Sequence, residues 1–159
     1  MPRLLVVNHV LLLLFCSIYL GTGVSLVFFQ FPLEPKLTVD NYYLMFVEPV
    51  TNATRFFTYM TILMLITGVI MLITEWFSGL RWVPVVVLLG VILATVLTMV
   101  VIIPLNKELA AGVTDPARLK VVFGQWANMN RVRVALWAIQ WAAMAYWFYR
   151  MALQARADR

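Results

Sequence analysis

WVPVVVLLGVILATVLTMVVII, residues 82–103, decides how the rest of the chain is read. It holds no charged residue over 22 positions. A hydrocarbon bilayer about 30 Å thick needs roughly 20 apolar residues of helix to cross it. A run this long and this apolar has no place on a water-facing domain, so it reads as a transmembrane span. Pro84 falls in its first turn, where a missing N–H costs little, and Pro104 is expected to stop it.

The same pattern recurs on both sides. Upstream, 56–76 forms a second span, bounded by Glu75 and Trp76, with FSGLR as the link and Ser78-Gly79 as its turn. Further upstream, 4–31 forms a first span, with Pro32 and Pro35 expected to end it. Its start resembles a signal peptide, but the apolar run is too long for one, and it reads as a retained helix. Residues 32–55 are expected to be a loop, with Tyr42, Tyr43, Met45 and Phe46 at headgroup level. Downstream of Pro104 a polar segment precedes Thr114-Asp115-Pro116, which suits a helix cap followed by Pro at the first helical position. One long helix should then begin as an amphipathic lead-in over 116–131 and continue as a fourth span over 132–153. Gly124 is its one weak point. The expected fold is an all-α integral membrane four-helix bundle, a single domain over 1–159, whose last helix extends out of the bilayer.

Composition agrees. The chain of 159 residues is 64% hydrophobic and 12% charged, against about 25% charged in an ordinary soluble domain. Its net charge of +5 comes from 12 Lys and Arg against 7 Asp and Glu, with no clustered basic track for nucleic acid. One cysteine, Cys16, excludes an internal disulfide and a multi-cysteine metal site. No nucleophile triad, phosphate loop, dinucleotide fingerprint or paired carboxylates are present, and neither a metal nor a cofactor is implied. Four spans place both termini on one side. Flanking cations divide five to that side and seven to the other, or five to five with Arg131 and Arg133 drawn into the bundle. Charge alone therefore does not orient the chain. Arg3 ahead of the first span and Arg150, Arg156 and Arg159 after the last favour cytoplasmic termini in the cell (inner) membrane.

Candidate chemistry lies on the last helix, in QWANMNRVRVALW at 125–137. Trp126, Asn130, Arg133, Trp137 and Gln140 are spaced 4, 3, 4 and 3, which puts all five within an arc of about 80° on a helix. Lipid accepts apolar groups and rejects polar ones, so this stripe should face inward, while Arg131 points elsewhere and suits the rim. Arg133 is either an intramembrane site residue or a snorkelling anchor. On the first span His9, Cys16, Gly23 and Gln30 recur every seven residues along one face. His9, the single histidine, is either a proton-transfer group or a hydrogen-bonded packing residue. Glu75 either pairs with a cation in the bundle or, beside Trp76, faces headgroups; the interfacial position is the expectation.

These residues carry a resemblance. Ile103-Pro104-Leu105-Asn106 and then Trp126-x-x-x-Asn130-x-x-Arg133 are similar to motifs of the small four-helix membrane family of unknown function that includes the fungal anthrone oxygenases. In that family Pro-x-Asn follows the third span and Trp-x-x-x-His-x-x-Arg opens the fourth. The Phe31-Pro32 exit of the first span is similar too. The resemblance implies a membrane oxygenase acting without a cofactor on an aromatic or quinone-like substrate. Arg133 would stabilise its anion, Trp126 and Trp137 would stack on its rings, and Asn106, Asn130 and Gln140 would hold its oxygens. Asn130 stands where the family has His, so an imidazole base would have to come from elsewhere, His9 being the one available. The competing expectation is a non-enzymatic small subunit, or a lipid- or quinone-binding module, of a larger membrane complex. Expected partners are membrane lipids, a hydrophobic aromatic ligand, and further copies or a larger assembly.

Overall fold

A computed structural model describes residues 2–157. Among them the chain is all helical, built from four long helices: α1 (Arg3–Lys36), α2 (Tyr43–Glu75), α3 (Trp82–Ala110) and α4 (Pro116–Ala157). Each helix runs antiparallel to the next, and α4 closes the ring by packing on both α1 and α3. The α1–α4 register is continuous. His9 meets Trp147, the Trp141 indole N–H donates to Ser17 Oγ at 3.2 Å, Tyr19 meets Trp137, and Phe31 meets Trp126. The start of α1, the end of α4 and the α2–α3 link therefore share one end of the bundle.

Two prolines expected to end helices, Pro32 and Pro104, do not end them, whereas α1 does stop one residue after Pro35. In three places a widened turn, with N–H bonded five residues back, stops two residues before a proline: Leu26–Gln30 before Pro32, Tyr43–Val47 before Pro49 and Thr98–Ile102 before Pro104. A proline ring clashes with the carbonyl four residues earlier. In each case that carbonyl lies inside the widened turn, where the looser winding moves it off the ring. The first span thus runs on through a tight turn, Phe31–Lys36, and the third continues to Ala110.

For the same reason 32–55 is mostly helix rather than loop. Only 37–42 link α1 to α2, stapled by Asn41, whose side chain accepts from Thr38 N at 2.8 Å and donates to Lys36 O at 3.1 Å. The aromatic group expected at headgroup level splits in two. Tyr43 and Met45 are exposed, but Tyr42 and Phe46 are buried, with the Phe46 ring 4.6 Å from Trp126 and 5.1 Å from Phe123. Burying those rings on the lead-in of α4 is what folds the segment.

The start of α4 follows the sequence. Asp115 Oδ1 accepts from Ala117 N at 2.9 Å, Pro116 opens the helix, and Gly124 does not interrupt it over 42 residues. Two apolar clusters fill the bundle. One, around Leu12, Met71, Val83 and Met144, lies toward the end that holds the α2–α3 link. The other, around Tyr42, Phe46, Leu109 and Phe123, closes the opposite end. The outer faces remain apolar, with Phe28, Phe29, Ile73 and Val100 all about two-thirds exposed (67–69%). By length and composition α1, α2 and α3 are each apolar enough to cross a membrane, whereas α4, expected to carry a fourth span over 132–153, is the least apolar of the four and does not reach that level.

Candidate functional site

Between the two apolar clusters lies a cavity of about 380 Å³. Its back wall is the polar stripe of α4. Trp126, Asn130, Trp137 and Gln140 are buried, and Arg133 is half-buried between them. All five line the cavity, as does Asn106 from α3. Helical spacing brings together the five stripe residues, and the packing of α3 on α4 adds Asn106 of the Pro-x-Asn motif.

The backbone lets the stripe lie this close. A Cβ on Gly90 of α3 would sit 2.5 Å from Gln140 Nε2 and 2.7 Å from its Cγ. One on Gly23 of α1 would meet Val134 and Trp137 at 3.0–3.1 Å. The two glycines let α4 settle onto α1 and α3 with Trp137 and Gln140 held between.

The wall is short of hydrogen-bond partners. Asn106 Oδ1, Trp126 Nε1, Arg133 Nε and Gln140 Nε2 are buried and unpaired among the described residues. Buried polar atoms are nearly always satisfied, and each orphan costs about 1–3 kcal/mol. These four belong to residues that line one cavity, three donors on α4 and one acceptor on α3. Asn130 differs, because its Nδ2 donates to Trp126 O at 2.9 Å within its own helix. Arg133 is the one charged residue of the lining, with no acidic residue beside it there. Its guanidinium lies 4.7 Å from the Trp137 ring centroid, a cation–π contact that holds the charge without neutralising it.

The remaining walls were not legible from motifs. Tyr19 donates to Phe57 O at 3.0 Å and contacts Thr61 Oγ1 at 2.7 Å. Its signal was its place between Cys16 and Gly23, three and four residues away on the same face. A set of threonines, Thr54, Thr58 and Thr61 on α2 and Thr95 and Thr98 on α3, lines the front. Each hydroxyl donates to a carbonyl four residues back in its own helix, which leaves oxygen lone pairs toward the cavity.

His9 is elsewhere. Its Nδ1–H donates to Leu5 O at 2.5 Å, its ring lies 4.7 Å from that of Trp147 at a tilt of 41°, and Nε2 lies 3.6 Å from Glu75 Oε1. Trp147 is fourteen residues beyond Arg133, roughly 20 Å along the helix. The cavity lining does not include His9, so its ring is out of reach of a molecule held at Asn130 and Arg133. Glu75, expected at the headgroups, is 6% exposed. The turn of the α2–α3 link explains this: Ser78 Oγ donates to Glu75 Oε2 at 2.6 Å, so the buried carboxylate has a hydrogen-bond partner, while the imidazole Nε2 faces its other oxygen beyond hydrogen-bond range. Arg131 lies exposed with its guanidinium 5.0 Å from the Phe31 ring, a rim position.

Among the described residues no three His, Cys, Asp or Glu side chains come together as a metal site. Comparison of the chain with protein-family models, curated proteins and solved structures finds no match.

Proposed function

We propose that this chain is a multi-pass membrane protein that binds an aromatic or quinone-like molecule with an acidic oxygen in a cavity inside the bilayer. The observation that carries this reading is Arg133. A cation without an acidic partner, set in an apolar cavity beside two indoles and three further unpaired polar atoms, calls for an anionic or strongly polar oxygen as its partner. The indoles of Trp126 and Trp137 offer ring faces and edges to an aromatic body. The apolar outer faces support insertion in lipid, and α4, packed between α1 and α3, crosses with them.

The narrower reading is cofactor-independent oxidation, in keeping with the resemblance to the anthrone-oxygenase-like family. A phenolic carbon acid loses a proton, and Arg133 stabilises the resulting electron-rich anion. Molecular oxygen is the oxidant: one atom becomes the new ring carbonyl, and the other leaves as water with the two hydrogens of the oxidised carbon. The lining has neither imidazole nor carboxylate to take the first proton, which favours substrates acidic enough to ionise unaided. That same gap favours the second reading, a lipid- or quinone-binding subunit that holds its ligand without changing it.

The test is binding of phenolic aromatics to the protein in nanodiscs, followed by tryptophan fluorescence, with oxygen uptake in parallel. Arg133→Gln should weaken binding by about 10- to 100-fold, the worth of a charge-assisted hydrogen bond. Unchanged affinity would remove Arg133 from the site. Stoichiometric co-purification with a large complex in mild detergent, without oxygen uptake, would select the subunit reading.

A further inference from the structure

We infer that the cavity is filled sideways, from the hydrocarbon phase, through a cleft between α2 and α3, and that its ligand is a tailed amphiphile with the head on α4 and the tail in the cleft. This rests on the cavity being a ligand site, and it adds the route and the class of molecule.

The lining residues that are exposed are Ala53, Thr54, Thr58 and Ile62 on α2 and Met99 on α3. None comes from α1 or α4. The two helices are pressed together near their link, where a Cβ on Gly68 would lie 2.8 Å from Leu88 Cδ2. Further along they contribute opposite edges of the cavity. Both ends of the bundle are closed. Toward the link, Leu12, Met71, Val83 and Met144 fill the section. At the other end Tyr42 Oη accepts from Val113 N at 2.6 Å and donates to Leu109 O at 3.1 Å, over the packed rings of Phe46 and Phe123.

On the side of the α2–α3 link, the cleft edge at Thr58, Ile62 and Met99 lies within the apolar runs 56–76 and 82–103, while Ala53 and Thr54 sit just outside the first of them. None of the five exposed lining residues is charged, Arg55 beside Thr54 lying outside the lining, and the Thr54 and Thr58 hydroxyls spend their protons on Val50 O and Thr54 O, each at 2.8 Å. A molecule dissolved in lipid reaches this opening directly at Ile62 and Met99. Three of the four unpaired polar atoms of the lining are across the cavity, on Trp126, Arg133 and Gln140 of α4, and the fourth, Asn106 Oδ1, is on α3. A molecule arriving through the cleft places its polar head there and leaves its tail at the threonine edge. The tail gains little by leaving lipid for the cleft, because both are apolar. Head contacts therefore set affinity, and the tail records the route.

The experiment reads where the tail lies. Two photoreactive probes, para-decylphenol and a fatty acid of matched length, each with a diazirine on the terminal carbon, are irradiated with the full chain in nanodiscs. Adducts are mapped by mass spectrometry with and without excess unlabelled compound. Competable adducts confined to Ala53, Thr54, Thr58, Ile62 or Met99 are expected. Arg133→Gln should lower them at least about tenfold, and Thr58→Trp, at an exposed position that packing tolerates, should block them at the cleft. Labelling by the phenol alone, or by both heads, supports the proposal. Labelling by the carboxylate alone keeps the sideways route and removes the aromatic head. Competable adducts at 37–42 or 105–123 overturn the sideways route while leaving the ligand site standing. With either head, adducts that excess compound fails to suppress overturn the site itself.

Discussion

Arg133 and Gln140 show how much a single position depends on its neighbours. Each is an ordinary polar side chain on a helix; what sets them apart is that the surroundings withhold partners from Arg133 Nε and Gln140 Nε2. Gly90 is the residue on which Gln140 depends most closely. Gly90→Ala would put a methyl group 2.5 Å from the Gln140 amide nitrogen and 2.7 Å from Cγ, so the whole side chain must move. A loss of about 1–3 kcal/mol is expected, as for overpacking elsewhere, read as a lower unfolding temperature in detergent. Gly21→Ala is the control, because a Cβ there meets nothing within 4 Å. It should be neutral, or stabilising by up to about 1 kcal/mol through helix propensity. Equal losses in the two variants would mean that helix–helix approach at Gly90 is not as close as described. His9 gives a second residue-scale prediction. His9→Ala removes a ring packed against Trp147 and facing Glu75, in a fully buried position. Unfolding should become easier by about 2–4 kcal/mol, while affinity for a phenolic ligand stays as in the parent chain. A selective loss of affinity or oxygen uptake at unchanged stability would return His9 to the chemistry.

Elements behave differently from what their punctuation suggests. Pro32, Pro49 and Pro104 each follow a widened turn and none ends its helix. Sequence alone marks a proline as a stop because the ring and the missing N–H disrupt a regular helix. Whether the chain breaks or widens depends on how much burial rewards continuation, and that is a tertiary matter. Here Phe46 and Ile102, both 2% exposed, supply it. Two of the widened turns, at 26–30 and 98–102, also border the cavity through Leu26, Thr98 and Ile102, so the same adjustment shapes the site. The closure of this end hangs on Tyr42. Its hydroxyl bridges Val113 N and Leu109 O across the α3–α4 connection. Tyr42→Phe strands a buried N–H and a buried C=O, and about 1–3 kcal/mol of stability should be lost. Hydrogen exchange should rise first around 109–115. Uniform protection there after the substitution would show that the bridge is dispensable.

The whole bundle makes one topological statement that a cell can check. His9 and Trp147 touch, so α1 begins and α4 ends at the same end. Reporter fusions to either terminus should therefore give the same sidedness, cytoplasmic if Arg3 and the closing arginines set the orientation. Opposite sidedness would sink the four-span reading, whatever the chemistry of the cavity. The apolar outer faces of α1, α2 and α3 also predict that alkaline washing leaves the chain in the membrane and that detergent is needed to release it.

Periodicity and apolar length by themselves determined the helical class, the number of long helices, the α4 start at Asp115-Pro116 and the inward face of Trp126, Asn130, Arg133, Trp137 and Gln140. Those are local properties: a helix of fixed pitch puts residues spaced 3 and 4 on one face whatever lies beside it. Tertiary structure alone decided the rest. Glu75 looks interfacial beside Trp76, and only the fold of the α2–α3 link brings Ser78 and His9 to its oxygens. His9 shares a face with Cys16 and Gly23 in the sequence, but its depth in the bundle separates it from the cavity. Tyr19 and the threonines of α2 and α3 carry no motif, and they line the cavity because the helices that bear them part where α4 is polar. Distance between residues far apart in the chain is set by packing, and no spacing along one helix encodes it.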